Sequence, residues 1–216
     1  MTAGSPDEVD AVKLYDIQAR TLVSAERWSP ITDKNLMDWQ TEWMPELIRR
    51  LKLLQQAGVE LARWPQSMHW NWRQKVASLR ANLSQKSYAL VHDGMTQAMM
   101  AADLGKRARI DSQRGQHLVY IDYIEAAPWN RHDVPNEPVR LGGCGTQLIL
   151  TAIGLSKMEG FKGRIGLHSL PQANDYYRNT CGMEDLGADT AAQNLRYFEM
   201  TPEIAEAFLL GKGKGE

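Results

Sequence analysis

Residues 139–148 read VRLGGCGTQL: an arginine, three glycines within four positions, and then the start of a long apolar stretch. That composition suits anion binding through the main chain. A helix begins with about four N–H groups that lack an intrahelical acceptor, and its macrodipole adds roughly half a positive charge at that end. Glycines just ahead of the helix admit positive φ and carry no Cβ to keep an anion away from those N–H groups. Arg140 adds a fixed cation. Charge-assisted hydrogen bonds are worth ~1.5 to 3 kcal/mol each, so a few amides and one guanidinium suffice to hold a diphosphate. The run is not a P-loop, since no Lys-Ser or Lys-Thr closes it, and it lacks the six-residue G-x-G-x-x-G dinucleotide pattern. On these residues alone, a plain glycine-rich turn stays open beside the cradle.

A cradle needs a strand to deliver it and a helix to receive it. From Gln116 onward the order is a long apolar strand HLVYIDYIEAAP, a Pro- and Asn-rich loop, the glycine run and a helix TQLILTAIGLSKMEG. A strand RIGLHSL, a helix QANDYYRNT and a last strand near LRYFEM follow. Ahead of them, SYALVHDG and TQAMMAAD read as a hairpin turned at Asp93 and Gly94. The N-terminal region reads mostly helical. Leu36, Trp39, Trp43, Leu47, Ile48, Leu51 and Leu54 recur at helical spacing before Gly58, and NWRQKVASLRANLS suggests a second helix. The expected class is α/β (α+β), a mixed central sheet flanked by helices. A helical extension over 1–84 should pack on a core over 85–210, with a disordered tail at 211–216.

Arg140-Leu-Gly-Gly143-Cys-Gly145 matches the R/Q-x-x-G-x-G/A signature of the GNAT superfamily of CoA-dependent N-acyltransferases, in the place between a long strand and a helix where that family has it. The segment GRIGLHSLPQANDYYRNTCGM resembles the family's next strand and helix, with Gly182-Met183 standing for its Gly-Phe-like pair. YIEAAPWNR, GRIGLHSLP and NLRYFEM look like a bacterial subgroup, and the resemblance covers roughly residues 85 to 200. It implies that the amides of Leu141, Gly142, Gly143, Cys144, Gly145 and Thr146, with Arg140 nearby, bind the pyrophosphate of acetyl-CoA or another acyl-CoA. The pantetheine arm would pair with the strand backbone near Ala126. Two departures stand out. The loop WNRHDVPNEPV is longer than usual and could overhang the cleft, and one extra residue separates Tyr177 from Gly182, which leaves Tyr176 or Tyr177 to face the sulfur.

Acyl transfer to an amine needs a neutral nucleophile, oxyanion stabilisation and a proton for the departing thiolate. A lysine-like amine of pKa ~10.4 lies about three units from neutrality at pH 7, so a base is worth seeking. Asp122 and Glu125 are an odd number apart and face opposite sides of a regular strand. Glu125 is nearer the expected thioester and is the preferred base, with a surface or ion-paired carboxylate as the plain alternative. His168 is the second candidate, against a packed histidine. Tyr177 is the expected partner of the thiolate. Cys144 lies among the phosphate-binding amides and reads as a small loop residue rather than a nucleophile.

The bulk numbers exclude several classes. With 25 basic and 26 acidic side chains the formal charge is -1, which leaves no electrostatic footprint for nucleic acid or anionic membrane. Two cysteines suggest free thiols, and no apolar run reaches the ~18 residues of a membrane helix, so a cytoplasmic setting is expected. The five histidines show no metal spacing. RWPQSMHWNWRQK gathers Trp64, Trp70 and Trp72, either as core or as the wall of an acceptor pocket. The expectation is an acetyl-CoA-dependent N-acetyltransferase, without a metal, acting on an amine-bearing acceptor. An acyl-CoA-binding module without turnover and a toxin-like enzyme acting on aminoacyl-tRNA are the alternatives, and a homodimer is left open.

Overall fold

The computed structural model describes residues 4–79, 82–135 and 137–211, so residues 212–216 of the expected disordered tail lie outside the described residues. The strands are β1 (Glu8–Asp16), β2 (Thr21–Ser29), β3 (Gln85–His92), β4 (Met95–Asp103), β5 (Val119–Ala126), β6 (Leu141–Gly142), β7 (Ile165–Ser169), β8 (Glu184–Asp189) and β9 (Leu195–Met200). The helices are α1 (Asp33–Asp38), α2 (Met44–Gln56), α3 (Trp72–Leu79), α4 (Cys144–Met158) and α5 (Pro202–Leu209). Two compact units divide the chain: residues 1–101 with 123–148, and residues 102–122 with 149–216. In the first unit the strand order is β6-β1-β2-β3-β4-β5, and in the second β5-β7-β9-β8, with β5 contributing to each. β5 and β7 are parallel, whereas β1-β2, β2-β3, β7-β9 and β8-β9 are antiparallel, so the sheet is mixed as the sequence leads one to expect.

The N-terminal region is where the expectation of a mostly helical extension fails. Residues 8–29 form a hairpin that belongs to the first unit's sheet, and the compact units do not break at residue 84. Cross-strand pairing explains it. Val12 faces Ala25 and Leu14 faces Val23, while Asp10 opposite Arg27 makes a 2.5 Å ion pair. Half-exposed strands of this kind alternate apolar with charged side chains and give only a weak signal.

The helix expected over 35–58 is interrupted. Thr32 caps α1 through a reciprocal pair of bonds with Asn35, and between α1 and α2 the backbone is π-helical over Trp39–Trp43. Pro45 has no N–H to give to the carbonyl of Thr41, and Met44 donates instead to Trp39, five residues back. The π turn keeps Trp39 and Trp43 buried in a cluster with Ile31, Leu36, Trp72, Val76, Ala89, Met99 and Trp129. The β3-β4 hairpin turns at Asp93 (φ 48°) and Gly94 (φ 69°), the two positive dihedrals that its tight turn requires. In the second unit, β8 and α5 were not expected from the sequence; Thr201 caps α5 and Pro202 opens it.

Candidate active site

The glycine run is stitched into the first unit before its helix starts. The carbonyl of Gln97 on β4 accepts from Ala127 N at 2.9 Å as β5 ends, and a 3-10 turn over Pro128–Asn130 follows. Trp129 Nε1 and Asn130 Nδ2 both donate to Gln97 Oε1 at 2.9 Å, and Asn130 Oδ1 accepts the amide of Leu141 at 3.0 Å. Arg140 donates its amide to Trp129 O, and its own carbonyl accepts from Ile17 N, both at 3.0 Å. β6 then pairs with β1, Tyr15 opposite Gly142 and Asp16 opposite Leu141. Gly143 has φ +85°, and a Cβ placed there would meet nothing within 4 Å, so the loop is open on that side. The carbonyl of Gly143 accepts from Gln147 at 2.9 Å, which makes Gly143 the residue on which α4 begins. Cys144, Gly145 and Thr146 form the first turn of α4, where main-chain amides point out of the helix end. An anion held by main-chain donors fits this cradle.

Arg140 is exposed and its guanidinium lies 5.2 Å from the Trp129 ring centroid. The two residues line a cleft of about 350 Å³ together with Glu42, Arg49 and Met95. Cys144, read as a loop residue in the sequence, opens α4; it is buried, and burial pushes its thiol up to about 12, which suits a packed residue rather than a nucleophile.

Glu125, the preferred base in the sequence, is an ion-paired carboxylate, the plain alternative to that role. It is 8% exposed; Oε2 accepts from Trp72 Nε1 at 2.6 Å and Oε1 from Arg131 at 3.2 Å. Arg131 also contacts Asp133 at 3.1 Å and Ser67 at 3.2 Å. Beyond it, the nearly buried Arg50 joins Asp133 at 3.3 Å to Glu46 at 2.8 Å. The long loop after Pro128 is therefore tied to α2 by the ion pairs of Asp133 and Glu137, and it buries Trp129, Val134 and Val139. Both carboxylate oxygens of Glu125 are occupied because Trp72 and Arg131, remote in sequence and on the following loop, converge on the end of β5.

The remaining candidates belong to the second unit. His168 accepts or donates through both ring nitrogens: Nδ1 to Tyr120 Oη at 2.5 Å and Nε2 to Asp189 at 3.0 Å. Asp189 being an acceptor, Nε2 carries the proton and Nδ1 faces the phenol. Arg109 bonds Asp189 at 2.6 Å, and these bonds from Arg109 and His168 hold its carboxyl at about 2. Tyr177 is buried against Phe198, 5.8 Å between centroids, and burial raises its phenol well above the usual range. Its hydroxyl makes no hydrogen bond among the described residues. The extra residue between Tyr177 and Gly182 is absorbed by a π-helical turn over Tyr176–Thr180, in which Cys181 donates to Tyr176 O at 3.0 Å. Tyr176 is only half-buried.

Gln97, Asn130, Trp72 and Arg131 are the positioning residues that sequence reading missed. The only local signal was the polar pair Asn130-Arg131 directly after an apolar strand. Among the described residues, no three His, Cys, Asp or Glu side chains gather as metal ligands and no helix is long and apolar enough to cross a membrane.

No protein-family model matches the chain, and no curated protein matches it. Solved structures similar to it include AtaTR bound with acetyl-CoA, at 12% identity over 69% of this chain and 91% of that one, with a TM-score of 0.49. The Bacillus subtilis N-acetyltransferase YlbP in complex with coenzyme A is similar over 91% of this chain and 97% of that one, at 10% identity and a TM-score of 0.45. A predicted acetyltransferase with acetyl-CoA from Clostridium acetobutylicum is similar over 71% and 86%, at 13% identity and a TM-score of 0.41.

Proposed function

We propose that the chain is a CoA-dependent N-acyltransferase that moves an acetyl or other short acyl group from acyl-CoA to a primary amine by direct attack. The observation that carries this reading is Gly143, at φ +85° with open space where a Cβ would stand, set between Arg140 and the first turn of a 15-residue helix. The proposed holders of the CoA pyrophosphate are Arg140 and the amides of Gly143, Cys144, Gly145 and Thr146. Leu141 drops out because Asn130 takes its amide, and Gly142 drops out because it pairs with Tyr15 of β1. The pantetheine arm is proposed to pair with β5 near Ala126.

In the reaction the amine nitrogen attacks the thioester carbonyl, the C–S bond breaks, and the sulfur leaves as a thiol. A phenol whose pKa burial has raised stays protonated at neutral pH, so Tyr177 is assigned a hydrogen bond to the departing sulfur rather than full proton transfer. The proton lost by the amine goes to water, and water returns one to the sulfur that Tyr177 holds, so CoA departs as its thiol. Glu125 is assigned the positioning of Trp72 and Arg131 at the end of β5, and both ring nitrogens of His168 are engaged, by Tyr120 and Asp189. A binding module without turnover is the second reading, favoured by that engagement of Glu125 and His168.

The test is thiol release from acetyl-CoA in the presence of pooled amines, peptides and tRNA, with the product identified by mass spectrometry. Tyr177→Phe should lower turnover about 100-fold while CoA affinity holds. CoA binding without thiol release above background from any pool supports the binding module instead.

A further inference from the structure

Three aromatic rings of the first unit meet edge to face beside the end of β5. The Trp70 and Tyr123 centroids are 5.3 Å apart at 76°, those of Trp72 and Tyr123 6.4 Å apart at 75°, and those of Trp70 and Trp72 6.5 Å apart at 77°. Trp72 is fully buried and backs the other two edge to face, whereas Trp70 and Tyr123 are half-buried and form the walls. A cation already sits between the walls. Lys75, one turn into α3, directs its side chain back toward the helix start, and its Nζ lies 3.3 Å from the Tyr123 centroid and 4.6 Å from that of Trp70. Trp72, behind the walls, donates its indole N–H to the buried Glu125 carboxylate at 2.6 Å, which fixes its ring and sets a negative charge behind the cage.

We infer that Trp70, Trp72 and Tyr123 form an aromatic cage for a cationic group of the acceptor, and that Lys75 fills this cage when no acceptor is bound. The cage selects a substrate class. Ring faces favour the charged form of a nitrogen, so a caged nitrogen cannot be the neutral nucleophile. The acceptor is therefore an amine that carries a second, permanent or protonated, positive charge away from its reacting nitrogen. This inference rests on the acyltransferase reading for the word acceptor, but the cage itself does not.

The test uses tetramethylammonium chloride as the probe and sodium chloride at equal ionic strength as the control. Saturable shifts of the Trp70 and Trp72 indole N–H resonances report binding. Lys75→Met removes the internal competitor and should bind the probe about tenfold more tightly than the natural chain. Trp70→Ala in the Lys75→Met background should abolish binding, and Trp70→Phe, which keeps a ring and guards against misfolding, should retain it. A Lys75→Met chain that shows no saturable shift, or that binds equally well without a ring at position 70, overturns the cage. With turnover in hand, tetramethylammonium should inhibit competitively against the amine; binding without competition overturns the acceptor assignment. CoA titration of the natural chain separates the two readings, because a cage that binds the probe in a chain that ignores CoA leaves the cage standing and removes the acyltransferase.

Discussion

Arg140 and Gly143 contribute to the proposed cradle by different means, and replacing each by alanine should separate affinity from stability. Gly143→Ala meets no steric obstacle, because nothing lies within 4 Å of the new Cβ. Its cost is the left-handed backbone alone, about 1–2 kcal/mol. For a chain of this size that lowers Tm by roughly 2–8 °C. Arg140→Ala removes an exposed side chain whose one described attraction is to Trp129, 5.2 Å away, worth about 0.5–1 kcal/mol at such a site. Its stability should fall by only a few degrees. Its CoA affinity should fall much further: one charge-assisted hydrogen bond of ~1.5 to 3 kcal/mol corresponds to a Kd about 10- to 150-fold weaker. Arg140→Lys should recover part of that loss by keeping the charge while losing the fork geometry. Calorimetric titration with CoA beside thermal melts reads both quantities. An Arg140→Ala chain that binds CoA within about twofold of the natural one would show that the guanidinium makes no contact with the diphosphate.

Glu125→Gln distinguishes a positioning carboxylate from a base. It leaves half-buried Arg131 with Asp133 as a remaining partner, so the loss should lie at or below the lower end of the ~3 to 5 kcal/mol typical of a broken buried pair, with turnover of the folded enzyme little changed. A collapse of kcat at unchanged Tm would instead make Glu125 the base. Cys144 and Cys181 are both pushed up to about 12 by burial, so neither thiol should react with a disulfide reagent at pH 8 until urea unfolds the chain; rapid labelling of the native protein is the contrary result. Acid stability follows from three carboxyls held at about 2: Glu46 by Arg49 and Arg50, Asp189 by Arg109 and His168, and Asp185, where Arg196 and Arg178 outweigh opposing burial. Their stabilisation is complete above the ordinary values of 4.5 and 3.8 and is lost as pH falls toward about 2, so Tm should decline across that window and stay level above it. A Tm unchanged down to about pH 2 would contradict the ion-pair network.

Much of the second half of the fold was legible because long apolar strands and a 15-residue helix carry strong periodicity, and Asp93-Gly94 announces its own turn. The hairpin over residues 8–29 was not, because its inward residues are few and its stability comes from cross-strand partners and from pairing with β3 and β6. The break at Trp39–Trp43 was written in Pro45, but helical spacing of tryptophans on either side concealed it. At the site, the glycine run could be read locally, since positive φ is a property of one residue. The environments of Glu125 and His168 could not: Trp72 is 53 residues from Glu125, and Tyr120 is 48 residues from His168. Burial and hydrogen bonding over such separations decide whether a carboxylate or an imidazole is available, and no local pattern encodes them. The extra residue before Gly182 was visible in the sequence, whereas its accommodation as a π turn that keeps Tyr177 buried needed the backbone.

The central claim is that the turn around Gly143 and the start of α4 grip the diphosphate of CoA with main-chain donors. Titrating the 15N-labelled chain with CoA while following the amides of Gly143, Cys144, Gly145 and Thr146 tests it most directly. Saturable shifts are expected at these positions, reproduced in part by inorganic pyrophosphate and weakened in Arg140→Ala. Amides that stay in place while CoA saturates the protein elsewhere, or no binding of CoA at all, would contradict it.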